Sequence, residues 1–147
     1  MYSFSFQTYG NSVEQIVTSV ELLLVSFTVI DEKKKRLETM VKKALKALSD
    51  KDYKALASCF SEDCKYFDYC PSCNGKDSYF VYGSASVEMF FRNRFTFDSL
   101  TVSDPVIEND KTASFFGAYE GPYIFARFRI EELDDAGLIK KAVVSPA

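Results

Sequence analysis

The 147-residue sequence contains no histidine and no tryptophan, and only six glycines and four prolines. The missing histidine excludes Ser-His-Asp triads, Cys-His pairs and every His-ligated metal site. Acid–base chemistry near neutral pH then falls to a carboxylate, Tyr, Cys or Lys whose pKa the fold has moved. Long hydrophobic runs are also scarce. The main candidate, Val20 to Ile30, is broken by Glu21 and leaves only Leu22 to Ile30 uninterrupted, whereas a membrane-crossing helix needs about 20 apolar residues. A secretory signal is not indicated either: the first basic residue, Lys33, follows the apolar run, and no small-residue cleavage site precedes Asp31 to Arg36. Val13, Ile16, Val17, Val20, Leu24 and Phe27 follow helical spacing. Residues 1–30 are therefore expected to be an N-terminal extension, an extra helix or strand packed on the domain or at a subunit interface, with a poorly ordered extension as the alternative.

Hydrophobic residues make up 47% and charged residues 27% of the chain, as in ordinary globular domains, and the aromatic content rests on 14 Phe and 9 Tyr. A net charge of −3 argues against nucleic acid as the main partner, because phosphate contacts need a basic surface. The charge is uneven. Nine of the 18 basic residues lie between Lys33 and Lys54, and Asp98 to Asp135 holds nine acids against Lys111, Arg127 and Arg129. This reads as a solvated basic helix face and an acidic sheet edge rather than a membrane-binding helix, so neither nucleic acid nor membrane is expected as a partner.

The four cysteines, Cys59, Cys64, Cys70 and Cys73, fall within one short stretch. With no secretory signal, the expected location is the cytoplasm and the expected state is reduced thiol. Cys70-Pro71-Ser72-Cys73-Asn74-Gly75 resembles one half of a zinc knuckle, while Cys59 falls on the apolar side of a helix. Three readings stand: unrelated buried or loop thiols, which are favoured; a four-cysteine zinc site; and a redox pair at Cys70 and Cys73.

Leu37, Met40, Val41, Ala44, Leu45 and Leu48 mark a long amphipathic helix. Ser49 to Asp52 breaks it and offers an N-cap for a shorter helix with Tyr53, Leu56, Ala57 and Phe60 on one face. Cys64 to Cys70 reads as a strand with Tyr66, Asp68 and Cys70 on one face and Phe67 and Tyr69 on the other. After an aromatic run at Tyr79 to Tyr82, Gly83-Ser84 opens a third helix carrying Val87, Phe90 and Phe91. Turn signals then separate strands near Ser99 to Ile107, Thr112 to Tyr119, Tyr123 to Leu133 and Leu138 to Val144, an antiparallel meander. Ile124, Ala126, Phe128 and Ile130 face one way, and Tyr123, Phe125, Arg127 and Arg129 the other. Helices followed by a meander imply an α+β fold, with the helices covering one face of a curved sheet.

This order of elements, with its local text, resembles the nuclear transport factor 2-like superfamily in its SnoaL-like and ketosteroid isomerase-like branch. Ala47 to Leu56 resembles the hinge between that family's first two helices. Phe60-Ser61-Glu62-Asp63-Cys64 resembles the lead-in to its first strand, and Gly83 the glycine that opens its third helix. The resemblance implies a cystatin-like, cone-shaped curved antiparallel sheet with three helices closing an apolar pocket, formed by residues 31–147. Phe90, Tyr119, Ala126 and Phe128 are expected to line the pocket. It also implies a homodimer paired through the convex face, with Phe125 beside Arg127 and Arg129.

The same resemblance places Asp68 where ketosteroid isomerase-like enzymes hold their general base. Independently, a carboxylate on the strand face of Tyr66, among Phe and Tyr, would be desolvated and its pKa raised. The oxyanion tyrosine and acid of that family fall at Ala44 and Ala126, which donate no hydrogen bond, so a steroid isomerase by that mechanism is disfavoured. Tyr66, Tyr119 or Tyr123 could supply a phenol instead. Two functions follow. One is a cofactor-independent isomerase, dehydratase or cyclase of a small hydrophobic carbonyl compound, with Asp68 as base and Tyr66 as polariser. The other is a non-catalytic ligand-binding or dimeric assembly module.

Overall fold

The computed structural model describes residues 7–147, with side chains from Glu14 onward, so Val13 of the N-terminal pattern lies outside the described side chains. The chain forms two compact units, residues 1–34 and 35–147. Helix α1 (Gln7–Ser49) opens in the first, and its residues from Lys35 belong to the second.

In the first unit the apolar stretch is helical, which settles helix over strand. Along this helix Ile16, Leu22, Leu24, Phe27 and Ile30 are exposed. Thr18, Ser19, Ser26 and Thr28 each turn their hydroxyl back to donate to the carbonyl four residues earlier, at 2.9 Å. Among the described residues, no helix is long and apolar enough to cross a membrane.

In the second unit, α1 buries Val41, Ala44, Leu45, Ala47 and Leu48, the stripe its three-and-four spacing dictates. Helix α2 (Tyr53–Ala57) starts at Asp52, whose carboxylate accepts from the backbone N–H of Ala55 at 3.0 Å. It is shorter than its pattern suggests, because Phe60 already belongs to strand β1 (Phe60–Asp68). A 3-10 turn over Cys70–Asn74 leads to β2 (Tyr79–Tyr82), and α3 (Ser84–Thr96) follows Gly83. Gly83 has φ +89°, and a Cβ there would stand 3.2 Å from the carbonyl oxygen of Glu62, so glycine meets both a conformational and a steric requirement.

Strands β3 (Thr101–Ile107), β4 (Thr112–Ala118), β5 (Tyr123–Leu133) and β6 (Ile139–Pro146) form the meander. The six-stranded sheet has the order β2-β1-β6-β5-β4-β3. One feature corrects the all-antiparallel expectation. β1 lies parallel to β6, with Tyr66 opposite Ala142 and Asp68 opposite Val144, so the sheet is mixed. The architecture is α+β: a curved, unclosed sheet carrying helices on its inner face. Phe91, Phe115, Phe128, Leu48 and Ile130 fill the space between them, each contributing about 1.5–3 kcal/mol on burial.

Candidate active site

Alternation along β1 turns Tyr66 and Asp68 inward and leaves Phe67 and Tyr69 on the other face. Asp68 is 1% exposed, and Tyr66, Cys70 and Tyr119 around it are equally enclosed. Tyr119 follows β4 directly. Its hydroxyl donates to Asp68 Oδ2 at 2.7 Å, while Oδ1 accepts from the backbone N–H of Cys70 at 2.9 Å. The second bond turns the chain out of β1 into the 3-10 turn, as Asp side chains commonly do.

Burial raises the Asp68 pKa from 3.8 to about 6. The hydrogen bonds from Tyr119, from Cys70 and from Tyr66 favour the charged form and oppose this rise without cancelling it. Tyr66 and Tyr119 are pushed well above the ordinary phenol value, first by burial and then by the adjacent Asp68 charge. Both therefore stay protonated at neutral pH and act as donors. Burial likewise pushes the Cys70 thiol up, away from thiolate chemistry.

A layer of aromatic rings separates this cluster from solvent. The Tyr79 ring lies 6.1 Å from that of Tyr119 and 4.9 Å from that of Phe90. The Arg94 guanidinium sits over both, 4.5 Å from the Tyr79 centroid and 5.1 Å from that of Phe90. Beyond them is an open cleft of about 440 Å³ lined by Phe90, Asn93, Arg94, Phe97, Ser99 and Glu120. Lys76 braces one wall by donating to the Tyr119 carbonyl and to the Glu120 carboxylate, at 3.2 and 3.1 Å.

The sequence-designated residues divide accordingly. Asp68, Tyr66 and Tyr119 form one cluster. Ala126 and Phe128 face the same interior and are fully buried, and Phe90 stands partly buried at the cleft. Tyr123 is exposed on the opposite face and takes no part. Tyr119, expected as a lining residue, is the phenol bonded to Asp68, and Tyr66 stands beside it. Tyr79 and Arg94 were not singled out by sequence. The pairing of Asp68 with Tyr79 across β1 and β2 is the register signal that would have found Tyr79. Cys59, Cys64, Cys70 and Cys73 are free; the first three are buried and Cys73 is exposed. Among the described residues, no group of three or more His, Cys, Asp or Glu is placed to hold a metal ion.

This architecture is similar to that of solved proteins described as having a cystatin-like fold, as SnoaL-like and as a proposed ketosteroid isomerase. A cystatin-like protein of unknown function from Methylobium petroleophilum PM1 matches 78% of this chain and 77% of its own, at 14% identity and a TM-score of 0.54. A proposed ketosteroid isomerase from Kribbella flavida DSM 17836 matches 75% of this chain and 76% of its own, at 16% identity and a TM-score of 0.51. A SnoaL-like protein of unknown function from Burkholderia thailandensis E264 matches 77% of this chain and 95% of its own, at 13% identity and a TM-score of 0.50. Likeness at these identities establishes the fold alone. No protein-family model and no curated protein matches the sequence.

Proposed function

We propose that the chain is a cofactor-independent isomerase, dehydratase or cyclase acting on a small hydrophobic carbonyl compound, with Asp68 as general base. The observation that carries this reading is the buried carboxyl itself. It has a pKa near 6 and a phenol donor at 2.7 Å, the protonation balance a base needs near neutral pH. In the proposed step Asp68 takes a proton from the carbon next to the carbonyl, and the electron pair of that C–H bond moves to form an enolate. A phenol, Tyr119 or Tyr66, donates a hydrogen bond to the enolate oxygen. Tyr119 must turn from Asp68 to the substrate for this, and the approach from the cleft passes Tyr79 and Phe90. The free thiols support work in a reducing compartment, which we take to be the cytoplasm.

The second reading, a non-catalytic ligand-binding or dimeric assembly module, draws on a specific feature. Both Asp68 oxygens are already satisfied within the protein, so the carboxyl also serves as a tie between the ends of β1 and β4. The outer face adds to it: the Phe116 and Phe125 rings are 5.0 Å apart and 41% and 43% exposed, a patch suited to a second copy.

Deuterium exchange separates the two. In D2O near neutral pH, with a panel of small cyclic enones and β,γ-unsaturated ketones as probes, the protein is expected to speed exchange at the α-carbon. Asp68→Asn should lose about 100-fold or more of that rate. No acceleration on any probe, or an unchanged rate in Asp68→Asn, favours the binding module.

A further inference from the structure

The cleft outside the aromatic layer holds a cation to which the protein supplies no counter-charge. Arg94 lies in the last turn of α3, and its backbone carbonyl accepts from the Ser99 N–H at 2.9 Å and from the Ser99 hydroxyl at 3.3 Å. Its half-buried side chain ends with the guanidinium over the rings of Tyr79 and Phe90. Tied at the backbone and held at its head, it is positioned before any ligand arrives. The rings attract its charge but offer no lone pair to its N–H donors. Among the described residues, no carboxylate pairs with Arg94 and no oxygen accepts from its guanidinium. Glu120, the acid on the cleft wall, is answered by Lys76 Nζ at 3.1 Å, so it leaves the Arg94 charge uncancelled.

These features describe a ligand. A guanidinium matches a carboxylate with two parallel N–H···O bonds. One uncancelled positive charge, with Glu120 on the same wall, suits a monoanion better than a phosphate dianion. Phe90 and Phe97 offer apolar wall for the rest of the molecule, and about 440 Å³ suits a small one. The direction of entry follows from Tyr79. Burial raises its phenol pKa, the Arg94 charge opposes that rise, and Asp68 and Glu120 add to it, so Arg94 and Asp68 both act on one hydroxyl. An acid held at Arg94 with its body along Phe90 therefore extends toward the Asp68 side of Tyr79.

We propose that this cleft is a carboxylate-binding subsite, in which Arg94 pairs with the acid group of a small monoanion and Phe90 and Phe97 hold its apolar body. Occupancy of the subsite is independent of any chemistry at Asp68. The substrate class that follows, a keto acid rather than an uncharged ketone, rests on the reading of Asp68 as a base.

Paired probes test it: benzoylpropionate and benzoylbutyrate, each against its methyl ester, titrated calorimetrically into the full chain near neutral pH. Each acid is expected to bind about tenfold or more tighter than its ester, with a preference that shrinks as salt rises. Arg94→Met, which keeps an apolar chain over the rings, should abolish the preference and leave ester binding within about twofold, while Arg94→Lys should restore part of it. A purely structural Arg94 would instead weaken acid and ester alike. Four results overturn the proposal: equal affinity for acid and ester, no binding of either acid, a preference that survives Arg94→Met, or tighter binding of phenyl phosphate than of either acid. Deuterium exchange at the α-carbon of the same probes keeps this proposal apart from the proposed function. An acid preference without exchange supports the subsite and removes the base. Exchange that depends on Asp68, with acid and ester bound equally, supports the base and overturns the subsite.

Discussion

The Tyr119 hydroxyl donates to Asp68 Oδ2 at 2.7 Å across 51 residues of chain, joining the end of β4 to the end of β1 inside the core. Because this bond favours the charged carboxylate, Tyr119→Phe should raise the Asp68 pKa above about 6 and shift any base-dependent activity to higher pH. The lost hydrogen bond should also cost about 1–3 kcal/mol of stability. Denaturant unfolding at pH 7 and a pH–rate profile of the same variant check both effects.

Stability should fall as pH rises through the Asp68 titration. The folded pKa of about 6 lies above the ordinary 3.8, so between these values the folded state binds the proton that the unfolded state has released. The contribution is fully present below about pH 4 and is lost by about pH 7, a fall of about 3 kcal/mol. Urea unfolding at steps across this range should show that fall in the wild-type chain relative to Asp68→Asn. Parallel curves would show that Asp68 titrates normally.

Gly117 positions Tyr119. A Cβ at Gly117 would stand 2.7 Å from Tyr119 Cε2 and 3.2 Å from Phe115 Cε2, so one ring must move. Gly117→Ala is expected to push the phenol off Asp68 and to lower activity further than its stability loss of about 1–3 kcal/mol explains. Loss of the downfield Tyr119 hydroxyl proton resonance would report the displacement directly.

The thiols should differ sharply in reactivity. Burial raises the pKa of Cys59, Cys64 and Cys70, and Cys73 alone of the four is exposed. Under native conditions iodoacetamide should label Cys73 and spare the other three, as peptide mass mapping would show. Equal labelling at Cys70 would revive the redox-pair reading.

Much of this fold is written locally. The alternation of Tyr66, Asp68 and Cys70 against Phe67 and Tyr69 gave the inner face of β1, and Asp52 and Gly83 marked where two helices start. The meander followed from turn residues between period-two runs. What escaped was non-local. Nothing in Phe60–Asp68 or Ile139–Pro146 announces that they pair in parallel, since that register is set by the packing of the whole sheet. Nine tyrosines offered no local reason to choose Tyr119 as the partner of Asp68. The length of α1 was missed for a different reason. No glycine or proline interrupts residues 11–49, but the change from an apolar to a basic stretch at Asp31 obscured a single continuous helix.

Asp68 is a buried carboxyl whose pKa is raised to about 6 beside a phenol. Titration of its side-chain carbon by ¹³C NMR, assigned by comparison with Asp68→Asn, measures this directly. A midpoint near 6, moved upward in Tyr119→Phe, is the expected result. A midpoint near 4, unchanged by Tyr119→Phe, would contradict it.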